Sequence, residues 1–150
     1  MFEIESKNPD VITITTKKTS VTFNIAEYTI SGNLAIGSIH GPGEFEVGDV
    51  TIRGIAVGTE GRTIYDAEVG GVHVGIIGGV EEGLDDLGMA NILCTSSVRA
   101  IREIDPKIVV AMGNVDGMVS ELKVSARTEK KLKVKSLDAL PVALEVVILN

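Results

Sequence analysis

Residues 40–57, HGPGEFEVGDVTIRGIAV, decide the architecture expected of the chain. Gly41-Pro42-Gly43 reads as a turn, because proline presets φ and the flanking glycines permit positive φ. Residues 44–47 read as a strand, Gly48-Asp49 as a two-residue hairpin turn, and 50–57 as the returning strand. Side chains alternate along a strand, so Val50, Ile52 and Gly54 share one face and Thr51 and Arg53 the other. Similar hairpins on both sides make this the middle of a meander, and nothing in the stretch itself carries chemistry.

Toward the N-terminus, residues 2–5 read as a strand and 7–10 as a turn. Residues 11–16, VITITT, alternate strictly, with Ile12 and Ile14 opposed to Thr13 and Thr15. In 21–25, Val21, Phe23 and Ile25 face inward. Residues 27–33 are less regular, and 34–39 read as a further short strand. Toward the C-terminus come a loop over 58–62, a strand over 63–69, a tight turn at Gly70-Gly71 and a strand over 72–77.

The pattern then changes. Residues 72–77, 91–94 and 107–112 are almost continuously apolar, as expected of strands covered on both faces. Between them lie two helical candidates. Residues 81–87 are short, acidic and interrupted by Gly83. Residues 96–104 are the clearer helix, with Thr95 or Ser96 as cap, Val98, Ile101 and Ile104 on one face, and Pro106 at the end. The strand, helix and strand across 92–112 make a βαβ-like unit. Residues 118–127 and 132–135 read as strands, 136–140 as a helical turn and 142–149 as the final strand. Thr-rich alternating strands in the first half and apolar strands beside a helix in the second fit a strand-rich α/β sandwich. It has two sheets and helix cover mainly on one outer face.

The 150 residues are expected to form one domain spanning 1–150 with a substantial core. Hydrophobic residues make up 44% and charged residues 23%, a globular balance. With three Phe, two Tyr and no Trp, the core must be built from Val, Ile and Leu. No apolar run reaches the roughly 18 residues of a membrane span. The start, MFEIESKNPD, lacks the basic and apolar blocks of a signal peptide. With the lone Cys94, this gives a cytoplasmic expectation without disulfides. A net charge of −7 argues against nucleic acid and anionic membrane as partners.

Few residues offer chemistry. His73 sits in an apolar strand and reads as structural or surface-facing. His40 lies near Glu44 and Glu46, but one histidine with two strand carboxylates is poor support for zinc. Cys94 ends a strand just before Thr95-Ser96-Ser97, a place where nucleophiles occur. However, the G-x-S-x-G pattern is absent and buried free cysteines are common. Gly78-Gly79 precedes Glu81, Glu82, Asp85 and Asp86, which would repel a phosphate, so this turn reads as structural. In 127–135, RTEKKLKVK, lysines alternate with Leu132 and Val134. This is the solvated, protected edge of an amphipathic strand.

Taken together, GPGEFEV at 41–47, VTIRGI at 50–55, TIY at 63–65, the strand 72–78, and Leu87-Gly88 through Ile92-Leu93 carry a resemblance. IDPKIVV at 104–110 and the ending from Leu132 complete it. The chain resembles the small single-domain branch of the metallo-β-lactamase superfamily, the group akin to ascorbate-phosphate lactonase. The resemblance implies an αββα fold of two packed sheets. It also implies hydrolysis of esters, lactones or phosphodiesters with one or two metal ions.

The family's metal ligands have no counterpart. Its H-x-H-x-D-H loop would fall within 26–39, which holds no histidine or aspartate before the turn. A further histidine would fall in Gly58-Thr59-Glu60-Gly61, the bridging aspartate at Gly79 and the last histidine at Gly113. The expectation is therefore a reduced, degenerate, metal-free relative without cofactor or catalytic residues. It would act as a binding or assembly module, through self-association or an unknown protein partner. The alternatives are an altered enzyme using Cys94 or the polar loop 114–116, and a metal hydrolase improvised around His40.

Overall fold

The computed structural model describes residues 1–32 and 37–150. The strands are β1 (Phe2–Asn8), β2 (Val11–Thr15), β3 (Ser20–Asn24), β4 (Thr29–Gly32), β5 (Ile39–His40), β6 (Gly43–Val47), β7 (Val50–Val57), β8 (Arg62–Val69) and β9 (Val72–Gly78). After helix α1 (Leu84–Leu87) come β10 (Ile92–Thr95), α2 (Val98–Ile104), β11 (Ile108–Ala111) and α3 (Val115–Leu122). The chain closes with β12 (Ala126–Glu129), β13 (Leu132–Val134), a 3-10 turn at Leu137–Ala139 and β14 (Glu145–Leu149).

Two sheets result. One has six strands in the order β13-β1-β2-β3-β4-β5, and the other has eight in the order β12-β14-β11-β10-β9-β8-β7-β6. The alternation in β2 and β3 sends Ile12, Ile14, Val21 and Phe23 into the space between the sheets. Thr13 and Thr22, register partners on the outer face, join hydroxyls at 2.9 Å. From the other sheet Ile52, Tyr65, Val74, Ile76, Ile92 and Cys94 complete that core, and the Phe23 and Tyr65 rings meet at 5.4 Å. On the far side of the eight-stranded sheet Ile64, Ile77, Leu93, Val109 and Val146 form a second apolar layer with Leu84, Leu87, Ala100, Ile101 and Met118. The continuously apolar strands are thus covered on both faces, and the helices lie on one outer face, as the sequence pattern requires. β9, β10, β11 and β14 run parallel, with α2 as the crossover between β10 and β11.

Several elements differ from the sequence expectation. The largest difference is α3, which replaces a strand expected from Met118 onward. Val115, Met118, Val119 and Leu122 lie at i, i+3, i+4 and i+7, a helical stripe visible only when Val115 is included. Gly117 also disguises the helix, but a Cβ there would fall 2.3 Å from Asn114 Oδ1. Among the described residues there are thus two helices of seven and eight residues, α2 and α3, where one clear helix was expected. The acidic helix shrinks to Leu84–Leu87, because Gly83 at φ 74° precedes it as the cap. The cap of α2 is Ser97, one and two residues beyond the expected candidates, and its Oγ accepts the Ala100 N–H at 3.1 Å. β1 runs through the expected turn to Asn8, residues 29–32 form a regular strand, and the last strand starts at Glu145. Of the strand expected over 34–39, only Ile39 joins a strand, together with His40; residues 33–36 lie outside the described residues.

Candidate functional site

The strand directions converge on one edge. β7 is antiparallel to β8, which is antiparallel to β9, and β9, β10 and β11 are mutually parallel. Consequently Val57, Gly78, Thr95 and Ala111 all end at the same side of the eight-stranded sheet. The turns that follow them, at 58–61, 79–83, 96–97 and 112–114, line this edge. The end of β3 joins it from the other sheet. A Cβ on Gly78, which sits at φ 57°, would lie 2.1 Å from Ile25 Cδ1, so the Ile25 side chain closes over the strand end.

Short hydrogen bonds tie this edge together. The fully buried Thr95 donates its hydroxyl to Gly78 O at 2.6 Å and accepts the Ser97 N–H at 3.0 Å. Ser96 N–H donates to the same Gly78 carbonyl at 2.9 Å, and Met112 N–H to Thr95 O at 3.0 Å. Ser97 Oγ also donates to the Glu81 carboxylate. Asn114, in left-handed conformation at the start of α3, donates Nδ2–H to Ser96 O at 3.0 Å. At the near corner Arg62 pairs with Glu82 at 2.5 Å. The polar groups of this edge are thus used to hold its turns to one another.

A second polar cluster lies at the opposite end, on the outer face of β7, β8 and β9 beyond the helices. Register places Arg53 opposite Asp66 and Glu68 opposite His73. His73 Nδ1 lies 3.1 Å from Asp66 Oδ1, and its Nε2 lies 3.1 Å from Glu68 Oε2. Arg53 donates Nη2–H to Leu87 O at 2.9 Å and reaches Asp66 Oδ2 at 3.5 Å. Asn91 Oδ1 accepts the His73 N–H at 2.8 Å. Arg53, Asp66, Glu68 and His73, with Glu44, Glu46 and Thr51, line a groove of about 430 Å³. The imidazole is held between two carboxylates, and among the described residues lining the groove only Thr51 carries a hydroxyl. Arg53, Asp66 and Glu68 were not singled out in the sequence. Their alternation as outward charges on two neighbouring strands was the available signal, but only strand register brings them to His73.

The remaining sequence candidates are scattered. Cys94 is fully buried between the sheets, and burial pushes its thiol far above the usual range, away from nucleophilic thiolate. His40 is exposed and pairs with Thr29 in the six-stranded sheet. Glu44 and Glu46 lie on β6 of the other sheet. Asn114 caps α3 and Asp116 sits in its first turn, so the expected polar loop 114–116 is a helix start.

No protein-family model matches the sequence, and no curated protein matches it. Among the solved structures that are similar is a candidate zinc-dependent hydrolase of the metallo-β-lactamase superfamily from Thermotoga maritima, with a TM-score of 0.74. The two are 16% identical, and the match covers 99% of this chain and 98% of that one. The fold is that of the metallo-β-lactamase superfamily. At this identity the likeness carries the fold alone.

The turns 58–61, 79–83 and 112–114, where the resemblance sets three of the ligand positions, meet at the first edge described. The donors present there do not fit zinc, which takes about four N, O or S ligands in tetrahedral array. Gly79 and Gly113 offer no side chain, the 58–61 turn has Glu60 alone, and Glu81 and Glu82 are engaged by Ser97 and Arg62. Among the described residues no group of three or more His, Cys, Asp or Glu is placed to hold a metal ion. Among the same residues no helix is long and apolar enough to cross a membrane.

Proposed function

We propose that this chain is a non-catalytic relative of metallo-β-lactamase-fold hydrolases that serves as a binding or assembly module. The observation that carries the reading is the composition of the strand-end edge. Glycine stands at two positions where the fold's metal ligands would project, Ile25 packs over Gly78, and serine, threonine and asparagine side chains bond the turns together. Metal-assisted hydrolysis requires a cation that polarises the scissile bond and lowers the pKa of bound water from about 15.7 toward 7. This edge provides no side-chain set to hold one. The test is a panel of lactone, ester and phosphodiester substrates assayed with added Zn²⁺ or Mn²⁺. The reading expects turnover at the buffer rate. Metal-dependent turnover abolished by chelator and restored by metal would overturn it.

A hydrolase with an altered site is the second reading. The Asp66–His73 pair in the groove favours it, because a carboxylate bonded to Nδ1 is how an imidazole base is oriented. Against it, Nε2 faces Glu68 rather than a nucleophile. Turnover that survives chelation and is lost in His73→Ala, with the fold intact, would select this alternative.

A further inference from the structure

The end strand of one sheet carries exposed glutamates and the end strand of the other carries exposed lysines. On one side is β6, the last strand of the eight-stranded sheet. Val47 and Val50 flank the two-residue turn and form a hydrogen-bonded pair, as does every second pair along an antiparallel ladder. Phe45 and Gly43 therefore also bond to β7, whereas the backbone N–H and C=O groups of Glu44 and Glu46 point away from it. Among the described residues no strand pairs with these groups. The Glu44 and Glu46 side chains are exposed on the outer face, and Phe45 packs against the core from a partly open position.

On the other side β13 is the last strand of the six-stranded sheet. Leu132 and Val134 are buried, and Lys131, Lys133 and Lys135 are exposed. Lys131 is engaged by Glu3 at 3.4 Å and Glu5 at 3.2 Å. Lys133, the register partner of Glu3, and Lys135 form no ion pair within 4 Å among the described residues. Each edge repels its own kind: β6 on β6 sets glutamate beside glutamate, and β13 on β13 sets lysine beside lysine. The mixed contact is complementary in both respects. It sets Glu44 and Glu46 beside Lys133 and Lys135, and Phe45 beside Leu132 and Val134.

We infer that β6 of one copy adds to β13 of a second copy, so that this chain assembles head to tail through its sheet edges. The inference rests on the proposed assembly role and names the partner for it, a second copy of the chain. Main-chain hydrogen bonds supply the contact and the charge pattern sets its direction. Such a contact is heterologous, leaving one free β6 and one free β13 at the ends of every chain of copies, so growth does not stop at two.

Multi-angle light scattering over a concentration series tests this with three proteins. The wild type is expected to rise past twice the chain mass of 15.8 kDa. Glu44→Lys/Glu46→Lys and Lys133→Glu/Lys135→Glu are each expected to remain at the monomer mass, with unchanged circular dichroism. Mixed in equal amounts, the two variants retain one intact acidic edge and one intact basic edge. The two reversed edges are complementary to each other as well, so the mixture is expected to regain growth past twice the chain mass. Both variants keep a net negative charge, so general attraction does not explain that recovery. A wild type that is monomeric at every concentration, self-association untouched by either variant, or a mixture that stays monomeric would each overturn the inference. A monomeric wild type that instead binds a peptide with alternating lysine and valine would give the edge to a basic strand of another protein. None of these results bears on metal binding or turnover, so failure here is distinguishable from failure of the non-catalytic reading.

Discussion

Thr95→Val is the sharpest probe of the closed strand-end edge. The substitution keeps the branched shape and removes only the hydroxyl. Thr95 is fully buried, donates to Gly78 O at 2.6 Å and accepts the Ser97 N–H at 3.0 Å. In the variant Gly78 O still receives the Ser96 N–H, but the Ser97 N–H is left without its acceptor inside a buried turn. An orphaned buried donor costs about 1–3 kcal/mol, and the lost Gly78 bond adds about 1. The variant is therefore expected to lose about 2–4 kcal/mol, or about 5–15 °C in Tm for a chain of this size. Thr95→Ser keeps the hydroxyl and deletes one methyl, and is expected to lose less than about 1.5 kcal/mol. Urea denaturation with a shared m-value measures both. If Thr95→Val is as stable as wild type, or if the serine variant is the weaker of the two, the hydroxyl does not hold this edge together.

Other consequences follow from burial. Met118→Ala should cost about 2–5 kcal/mol in calorimetry, because Met118 is fully buried between α3 and the sheet; a loss of under about 0.5 kcal/mol would contradict that placement. Native Cys94 should resist iodoacetamide at about pH 8.5 and react after unfolding, because burial raises its thiol pKa; rapid modification of the folded protein would count against this. Burial, with the nearby Tyr28 as a second cause, pushes the Tyr65 phenol up to about 12. Above about pH 10 the unfolded chain gives up a proton that the native state keeps, so stability falls as pH rises, by up to about 1.4 kcal/mol per unit. Denaturation midpoints across pH 10–12 should fall more steeply in the wild type than in Tyr65→Phe, and parallel curves would refute it.

Strand positions were legible wherever side chains alternate or stay apolar. VITITT in β2 revealed its inward face, and the apolar runs of β9, β10 and β11 announced strands covered on both sides. The hairpin at Gly48-Asp49 fixed register by its turn length. Helix α3 was hidden because Gly117 lowers helix propensity and because a segment begun at Met118 misses its first turn. The 58, 79 and 113 positions could be compared with a ligand pattern by sequence, but their meeting at one edge depends on the direction of four strands. The groove around His73 was illegible for a different reason. Arg53, Asp66 and Glu68 become its neighbours only through pairing across β7, β8 and β9, which periodicity along one strand does not encode.

On the proposed non-catalytic reading, the strand-end edge of this chain does not bind zinc. Isothermal titration of Zn²⁺ into chelator-treated protein, with elemental analysis of the untreated protein and melting curves of both, measures it most directly. The account predicts well under one zinc per chain, heats no larger than weak surface binding gives, and the same Tm before and after chelation. One zinc per chain, bound at submicromolar Kd and removed only with a large fall in Tm, would contradict it.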